Sequence, residues 1–145
     1  MSTTIPETTM TPETGLPYTG PYQDLLGYDI ARLADGRPVV RMQVEAQHLN
    51  QFAIAHGGVA LALLDVAGGL AVHARRPDMA GMATVNMNTA FLEAVQPGLV
   101  FGIGSIERLG GTLAYTAMAL HAGAPDGALL ATAQGVYRIF AAKSR

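Results

Sequence analysis

The feature that most constrains this fold is an apolar run from Gly57 to Val72 with a single ionisable side chain, Asp65. Ala and Leu dominate the run, proline is absent, and Arg75-Arg76-Pro77 follows it as a typical helix stop. We therefore predict a helix over Gly58–Ala74. Because this helix is apolar on nearly all faces, the rest of the chain must cover it on nearly all faces.

The segments around this helix have the alternation typical of β-strands. Residues 25–46, with a turn at Asp35-Gly36, predict a hairpin. Four strand-like segments follow the helix, at residues 83–95, 99–109, 112–122 and 128–140. Tight Gly and Pro turns separate them, so we expect sequence neighbours to pair antiparallel. An antiparallel sheet curled around one central helix is the predicted α+β architecture. The pair Gly68-Gly69 indicates close approach of a neighbouring backbone to the helix.

Composition bounds the organisation and the partners of the chain. Its 145 residues suffice for one domain with a sizeable core. Residues 1–20 are rich in Thr, Pro, Glu and Gly and lack Lys and Arg, which predicts a mobile arm before a single domain at 21–145. Hydrophobic residues make up 50% and charged residues only 14%, which favours surface hidden in a homo-oligomer.

Several classes of function are disfavoured by the sequence. The net charge of −2 gives no electrostatic reason to expect nucleic acid or an anionic membrane as a partner. The apolar run is too short and too interrupted for a membrane span, and the N-terminus lacks the pattern of a secretory signal. No metal-ligand spacing, serine-hydrolase elbow or phosphate-loop motif is present. The absence of cysteine suits a reducing, cytoplasmic location.

The sequence around the apolar run resembles a known family. Asn50-x5-His56-Gly57-Gly58-x6-Asp65, with TVNMN at 84–88 and a GG turn at 110–111, is similar to the signature of hotdog acyl-CoA thioesterases. The similarity is greatest to the branch with phenylacetate-pathway thioesterases and the human-type thioesterase superfamily member proteins. It covers about residues 25–140. It implies the hotdog fold, a curved antiparallel sheet wrapped around one long helix, and hydrolysis of acyl-CoA to a free acid and CoA.

The resemblance also implies residue roles. The Gly57 N–H would bind the thioester carbonyl oxygen, and Asp65 would activate or orient the attacking water or attack directly. Asn50 and His56 would position the thioester, and Thr84 would stand where a hydroxyl helps to hold the water. Substrate contacts would involve Gly58, Thr84, Val85, Asn86 and Gly110. CoA would enter as part of the substrate, so neither a cofactor nor a metal is expected.

The chain departs from the family pattern in two places. Relatives often have Gly where this chain has Ala53-Ile54-Ala55, and often have Arg where it has Thr112. The second departure leaves the contacts with the CoA phosphates unassigned. Candidates are the basic residues Arg75, Arg76, Arg108, Arg138, Lys143 and Arg145.

The spacing of Gly57 and Asp65 constrains how one site is built. Thioester hydrolysis needs a group that activates water and a donor that meets the growing negative charge on the carbonyl oxygen. A helix N-terminus provides such a donor. On one helix, residues eight positions apart are separated by about 12 Å, too far to act on one thioester. We therefore expect a homodimer with two shared sites and antiparallel helices, which could pair further into a tetramer.

Alternatives stay open at each position and for the function. Asp65 could be paired with a hydroxyl or His for structure alone, and His56 could be a cap. Gly57 and Gly58 could be turn glycines, Asn50 an ordinary loop residue and Thr84 an ordinary strand residue. Rival functions are a non-catalytic acyl-CoA-binding module and an enoyl thioester hydratase. The acyl group is undetermined, with candidate lining residues Leu61, Leu64, Met82, Met87 and Phe91, as is whether Asp65 is base or nucleophile.

Overall fold

The structure is a computed structural model that describes residues 20–142. The elements in chain order are α1 (Pro21–Leu26), β1 (Asp29–Arg32), β2 (Pro38–Val44), α2 (Gly57–Arg75), β3 (Gly81–Phe91), β4 (Gly98–Leu109), β5 (Leu113–Ala122) and β6 (Leu129–Phe140). A short 3-10 turn, Ala46–His48, lies between β2 and α2. The predicted arm, residues 1–20, lies outside the described residues except for Gly20.

The six strands form one antiparallel sheet in the order β1-β2-β4-β5-β6-β3. Helix α2 packs against β4, β5, β2, β6 and β3, and buried side chains from the helix and the sheet form the main core. The predicted α+β architecture, an antiparallel sheet curled around one long helix, is confirmed. The hairpin around Asp35-Gly36 is also confirmed, since β1 and β2 pair antiparallel across that turn.

Glycines on β4 let the sheet approach α2 closely. A Cβ on Gly104 would overlap the Ala67 carbonyl oxygen and lie 2.8 Å from its carbonyl carbon. A Cβ on Gly102 would lie 3.2 Å from the Leu63 carbonyl oxygen. The prediction that a neighbouring backbone approaches the helix at Gly68 is wrong. The three atoms nearest to the position of a Cβ on Gly68 all belong to the side chain of Tyr137.

Helix α2 serves as the core helix. Within residues 20–142 it alone has the length and apolar composition of a membrane span, and more than half of that window is buried inside the fold. Its C-terminal half, from Ala67 to Val72, is buried without interruption. The N-terminal half leaves Leu61, Asp65 and Val66 partly exposed on one side. The helix is apolar because the sheet covers most of its surface, and the face around Asp65 is the part that the sheet leaves uncovered.

Two elements differ from the expectation. Helix α1 was not predicted, and only its last two residues, Leu25 and Leu26, fall within the predicted hairpin. Pro21 lies in its first turn, and Gly27 at φ 84° is its C-cap. Strand β3 pairs with β6 at the sheet edge and not with β4. The link at residues 92–97 crosses over, so β4 lies between β2 and β5. The turns correctly predicted that paired strands run antiparallel. Which strands lie side by side depends on packing between distant parts of the chain.

Candidate active site

The N-terminal end of α2 carries an uncapped amide. His56 is the N-cap: its Nδ1 accepts a hydrogen bond from the Gly58 N–H at 2.9 Å, and its carbonyl oxygen accepts one from the Val59 N–H at 2.9 Å. The Gly57 N–H has no acceptor among residues 20–142. Because it lies at the positive end of the helix dipole, this N–H is suited to bind a carbonyl oxygen that gains negative charge.

A buried histidine fixes the loop that leads to this amide. His48 accepts a hydrogen bond from the Glu45 N–H at Nδ1 (2.9 Å), and Nε2 lies 2.8 Å from the Leu26 carbonyl oxygen. These contacts assign the Nε2–H tautomer. The His48 carbonyl oxygen accepts from the His56 N–H at 2.9 Å. His48 therefore joins α1, the 3-10 turn and the start of α2, a role that was not predicted.

Asn50 stabilises the turn that precedes His56. Its Oδ1 accepts from the Phe52 N–H at 2.9 Å, and its backbone N–H donates to the Ile54 carbonyl oxygen at 2.8 Å. The side-chain NH₂ has no partner among the described residues. Asn50 thus has a local role and keeps two free donors.

Ala53 lies in the segment Ala53-Ile54-Ala55, where the resemblance leads us to expect a glycine. It has φ 59°, and it is the one non-glycine residue with positive φ in the described part of the chain. The left-handed conformation costs an alanine about 1–2 kcal/mol, which glycine would avoid. The backbone of the turn is therefore compatible with glycine even though the side chain differs.

Two hydroxyl groups hold Asp65 through one carboxylate oxygen. The Thr84 hydroxyl donates to Oδ1 at 2.7 Å, and the Tyr137 hydroxyl lies 3.1 Å from the same atom and 2.9 Å from the Asp65 backbone oxygen. Oδ2 has no hydrogen-bond donor among residues 20–142. One oxygen is thus anchored while the other is open to react. The predicted role of Thr84 in holding the water stays a prediction, and the structure adds a direct contact of its hydroxyl with Asp65.

A β-bulge in β3 brings Thr84 to the helix. Thr84 pairs with Tyr137 and Asn86 with Val136, so Val85 is an extra residue in the ladder. Met82 and Thr84 face α2 before the bulge, and Met87 and Phe91 face it after the bulge. The side chain of Phe91 lies against Gly57, 3.5 Å from where a Cβ would stand. One strand therefore reaches both ends of the candidate site.

The predicted residues form two groups in one chain. The amide end contains Asn50, His56, Gly57 and Gly58. The carboxylate end contains Asp65 and Thr84, with Val85 and Asn86 following in β3. The turn with Gly110 follows Leu109, which packs near Val72 in the C-terminal half of α2. Gly110 is therefore on the side of the carboxylate end. Eight helical positions, about 12 Å, separate Gly57 from Asp65.

The groove at the amide end has both apolar and polar side chains in its wall, among them Gln47 and His48. This groove of about 360 Å³ opens beside His56 and Gly58, with Tyr22, Leu26 and Val59 in its wall. A larger groove of about 800 Å³ involves Asn88, Ser105, Ala117 and Gln134, and contains none of the predicted site residues.

Burial raises the pKa of Tyr28, and negative charge on Tyr22 and Asp65 adds to the rise, so this phenol stays protonated. No group of three potential metal ligands exists among residues 20–142.

Comparison with known proteins identifies the family. A family model described as thioesterase superfamily matches residues 52–128, which is more than half of the chain. The chain belongs to the thioesterase superfamily. The matched segment contains His56, Gly57, Asp65 and Thr84, and it ends before β6.

Related proteins agree with this assignment. The chain is 30% identical to a Pseudomonas aeruginosa protein named Putative esterase PA0474, over 83% of this chain and 90% of the relative. Its fold is similar to the BH2602 protein from Bacillus halodurans, solved with CoA, at 22% identity and a TM-score of 0.78 over 91% of this chain and 85% of the other. It is 28% identical to a Ralstonia eutropha phenylacetic acid degradation-related protein, with a TM-score of 0.70 over 83% and 91%. The hotdog fold and the predicted family are confirmed.

Proposed function

We propose that the protein is an acyl-CoA thioesterase that hydrolyses the thioester to a free acid and CoA. The observation that carries this proposal is the selectively uncapped Gly57 N–H. His56 satisfies the next two amides, while the Gly57 amide keeps its hydrogen for a ligand. An unpaired donor at a helix N-terminus is the type of group that stabilises the oxyanion of acyl transfer.

The Asp65 carboxylate supplies the second group that the reaction needs. Two hydroxyls lie within hydrogen-bond distance of its Oδ1, and its Oδ2 has no donor among residues 20–142. As a general base, Oδ2 takes a proton from water while the water oxygen bonds to the thioester carbon. The carbonyl oxygen gains negative charge beside the Gly57 N–H. The C–S bond then breaks, and the CoA sulfur leaves as a thiolate that takes up a proton. In the other form of the proposal, Oδ2 attacks the thioester carbon directly, the C–S bond breaks to release the CoA thiolate, and water then hydrolyses the acyl-aspartyl anhydride to the free acid and the Asp65 carboxylate.

We propose that each site is shared between two subunits of a homodimer. Gly57 and Asp65 lie about 12 Å apart on one helix, so a carbonyl bound at Gly57 needs the carboxylate of a partner helix. Strand β3 is an 11-residue edge strand, and Val85 on it is 60% exposed. Exposed edges of this length are usually covered. Pairing of two β3 edges would also place the partly exposed faces of two α2 helices side by side.

The rest of the proposal concerns the substrate and the location. CoA is proposed as the leaving group, without a further cofactor and without a metal, nucleic acid or membrane as a partner. The CoA bound to the Bacillus halodurans protein supports CoA thioesters as the substrate class. The name of the Ralstonia eutropha protein makes aromatic acyl-CoAs a useful part of a screen. The protein is proposed to act in the cytoplasm, in agreement with its lack of cysteine.

The test is release of CoA thiol from a panel of aromatic, short-chain and long-chain acyl-CoAs. We expect turnover of at least one member by the wild type, and a loss of kcat in Asp65→Asn, which keeps the shape of the side chain but removes the base. Asp78→Asn, at an exposed aspartate after α2, is the matched control and should turn over like the wild type.

Three results would overturn the proposal. Absence of thiol release with every acyl-CoA, together with binding of the same compounds, would favour a binding module. Full activity of Asp65→Asn would remove the assigned base. Loss of crotonyl-CoA absorbance without thiol release would instead indicate hydration of an enoyl thioester.

A further inference from the structure

Tyr137 on β6 is a buried tyrosine whose hydroxyl reaches the candidate catalytic carboxylate. The residue is only 1% exposed and lies directly opposite Thr84 in the ladder between β3 and β6. It was not among the candidate residues, and it lies beyond the segment that matches the family model. We propose that Tyr137 is a positioning residue that holds the Asp65 carboxylate for thioester hydrolysis, an inference that rests on the proposed function.

The first support is the geometry at Asp65. The Tyr137 hydroxyl lies 3.1 Å from Oδ1, to which Thr84 donates at 2.7 Å. Both hydroxyls lie within hydrogen-bond distance of the same oxygen, which restricts the orientation of the carboxylate, while Oδ2 has no donor among residues 20–142. A side chain held by two hydroxyls loses little freedom when it reacts, because its geometry is set in advance.

The second support is a slot that fits this tyrosine. A Cβ on Gly68 would overlap the hydroxyl oxygen and lie 2.8 Å from Cζ of Tyr137. A Cβ on Gly135 would lie 2.9 Å from Cε2 of the same ring. Two glycines, one on α2 and one on β6, therefore leave room for the ring against the helix. The close fit restricts the positions that the phenol oxygen can take.

The third support is that the hydroxyl has two acceptors. A phenol has one hydrogen, so at any moment it donates to Oδ1 or to the Asp65 backbone oxygen, which is 2.9 Å away. When the carboxylate is charged, it is the stronger acceptor. When Oδ2 has taken a proton, the hydroxyl can donate to the backbone oxygen. The buried hydroxyl therefore keeps a partner in both states, which avoids the cost of an unpaired polar group.

The test is the variant Tyr137→Phe, which removes the oxygen and keeps the ring. We expect kcat to fall about 10–100-fold, the loss that follows removal of one hydrogen bond to a charged group. KM should change less than about threefold, because Tyr137 is proposed to act through Asp65 and not on the substrate. Tyr115→Phe, at a partly exposed tyrosine on β5, is the control and should match the wild type.

A structural role would give a different result. If the hydroxyl serves stability alone, Tyr137→Phe lowers the midpoint of thermal unfolding while kcat per folded protein is unchanged, and the inference is wrong. Crystal structures of the wild type and of Tyr137→Phe give a second readout: we expect the Asp65 carboxylate to move or to become disordered. An unmoved carboxylate also overturns the inference. Should the wild type release no CoA thiol, the proposed function fails, and the crystal structures alone still decide whether Tyr137 positions Asp65.

Discussion

Replacement of Gly57 by proline deletes one hydrogen-bond donor with little other change to α2. Gly57 is the first residue of the helix, where proline is well tolerated. The preceding residue, His56, has φ −57° and ψ 139°, the extended conformation that a following proline requires. The Gly57 N–H has no partner among residues 20–142, so its removal breaks no hydrogen bond there. Gly57→Ala keeps the N–H, and its Cβ would make an ordinary 3.5 Å contact with Phe91.

The two variants should therefore differ in activity more than in stability. Loss of one oxyanion donor lowers kcat by about 10²–10³-fold in well-studied hydrolases, so we expect a fall of this size for Gly57→Pro. For Gly57→Ala we expect a fall of less than about tenfold, because the donor is retained. CoA-thiol release at saturating substrate gives kcat. Urea unfolding at a fixed protein concentration should place Gly57→Pro within about 1 kcal/mol of the wild type.

Two outcomes would refute this reasoning. Equal kcat values for the proline and alanine variants would show that the amide of Gly57 does not bind the reacting oxygen. A strong loss of stability in Gly57→Pro would show that the amide or the local backbone has a structural role that the hydrogen bonds of His56 do not account for.

Two further predictions concern the dimer and the tyrosine slot. When Asp65→Ala and Gly57→Pro subunits are mixed in equal amounts and allowed to exchange, activity should return to about a quarter of the wild-type value, since half of the dimers are mixed and each has one intact site. Activity that stays at the level of the single variants, with exchange shown by native mass spectrometry, would exclude shared sites. Gly68→Ala should lower the free energy of unfolding by about 1–3 kcal/mol because its Cβ overlaps Tyr137, although an alanine at an unobstructed helix position would raise it. An unchanged free energy of unfolding in urea would contradict the inference that Gly68 leaves necessary room for the Tyr137 ring.

The sequence predicted those parts of the fold that depend on local pattern. The apolar run and the stop at Arg75-Arg76-Pro77 placed α2 to within one residue at each end. The turn at Asp35-Gly36 predicted the first hairpin correctly. Helix α1 was missed because its six residues are too few for a periodic pattern. The adjacency of β3 and β6 was missed because it depends on contacts between distant parts of the chain.

The candidate site also has residues that a local sequence pattern predicts and residues that only long-range contacts identify. Residues from Asn50 to Asp65 form one continuous motif, so their types and spacing could be recognised, while their roles stay predictions. His48 and Tyr137 are fixed by buried hydrogen bonds to distant residues. One signal could have pointed to Tyr137. In a strand with alternating burial, a buried tyrosine needs a partner for its hydroxyl, and Asp65 is the one carboxylate in the apolar helix.

The bulge at Val85 reverses the parity of β3. Before it, even-numbered residues face the helix, among them Thr84 at the carboxylate end; after it, odd-numbered residues do, among them Phe91 at the amide end. The strand thus has two halves in which different alternate residues face the helix, and each half lies at a different end of the site. A chain without Val85 would keep one half in phase and turn the other outward. That single extra residue lets one edge strand serve both ends of the candidate site.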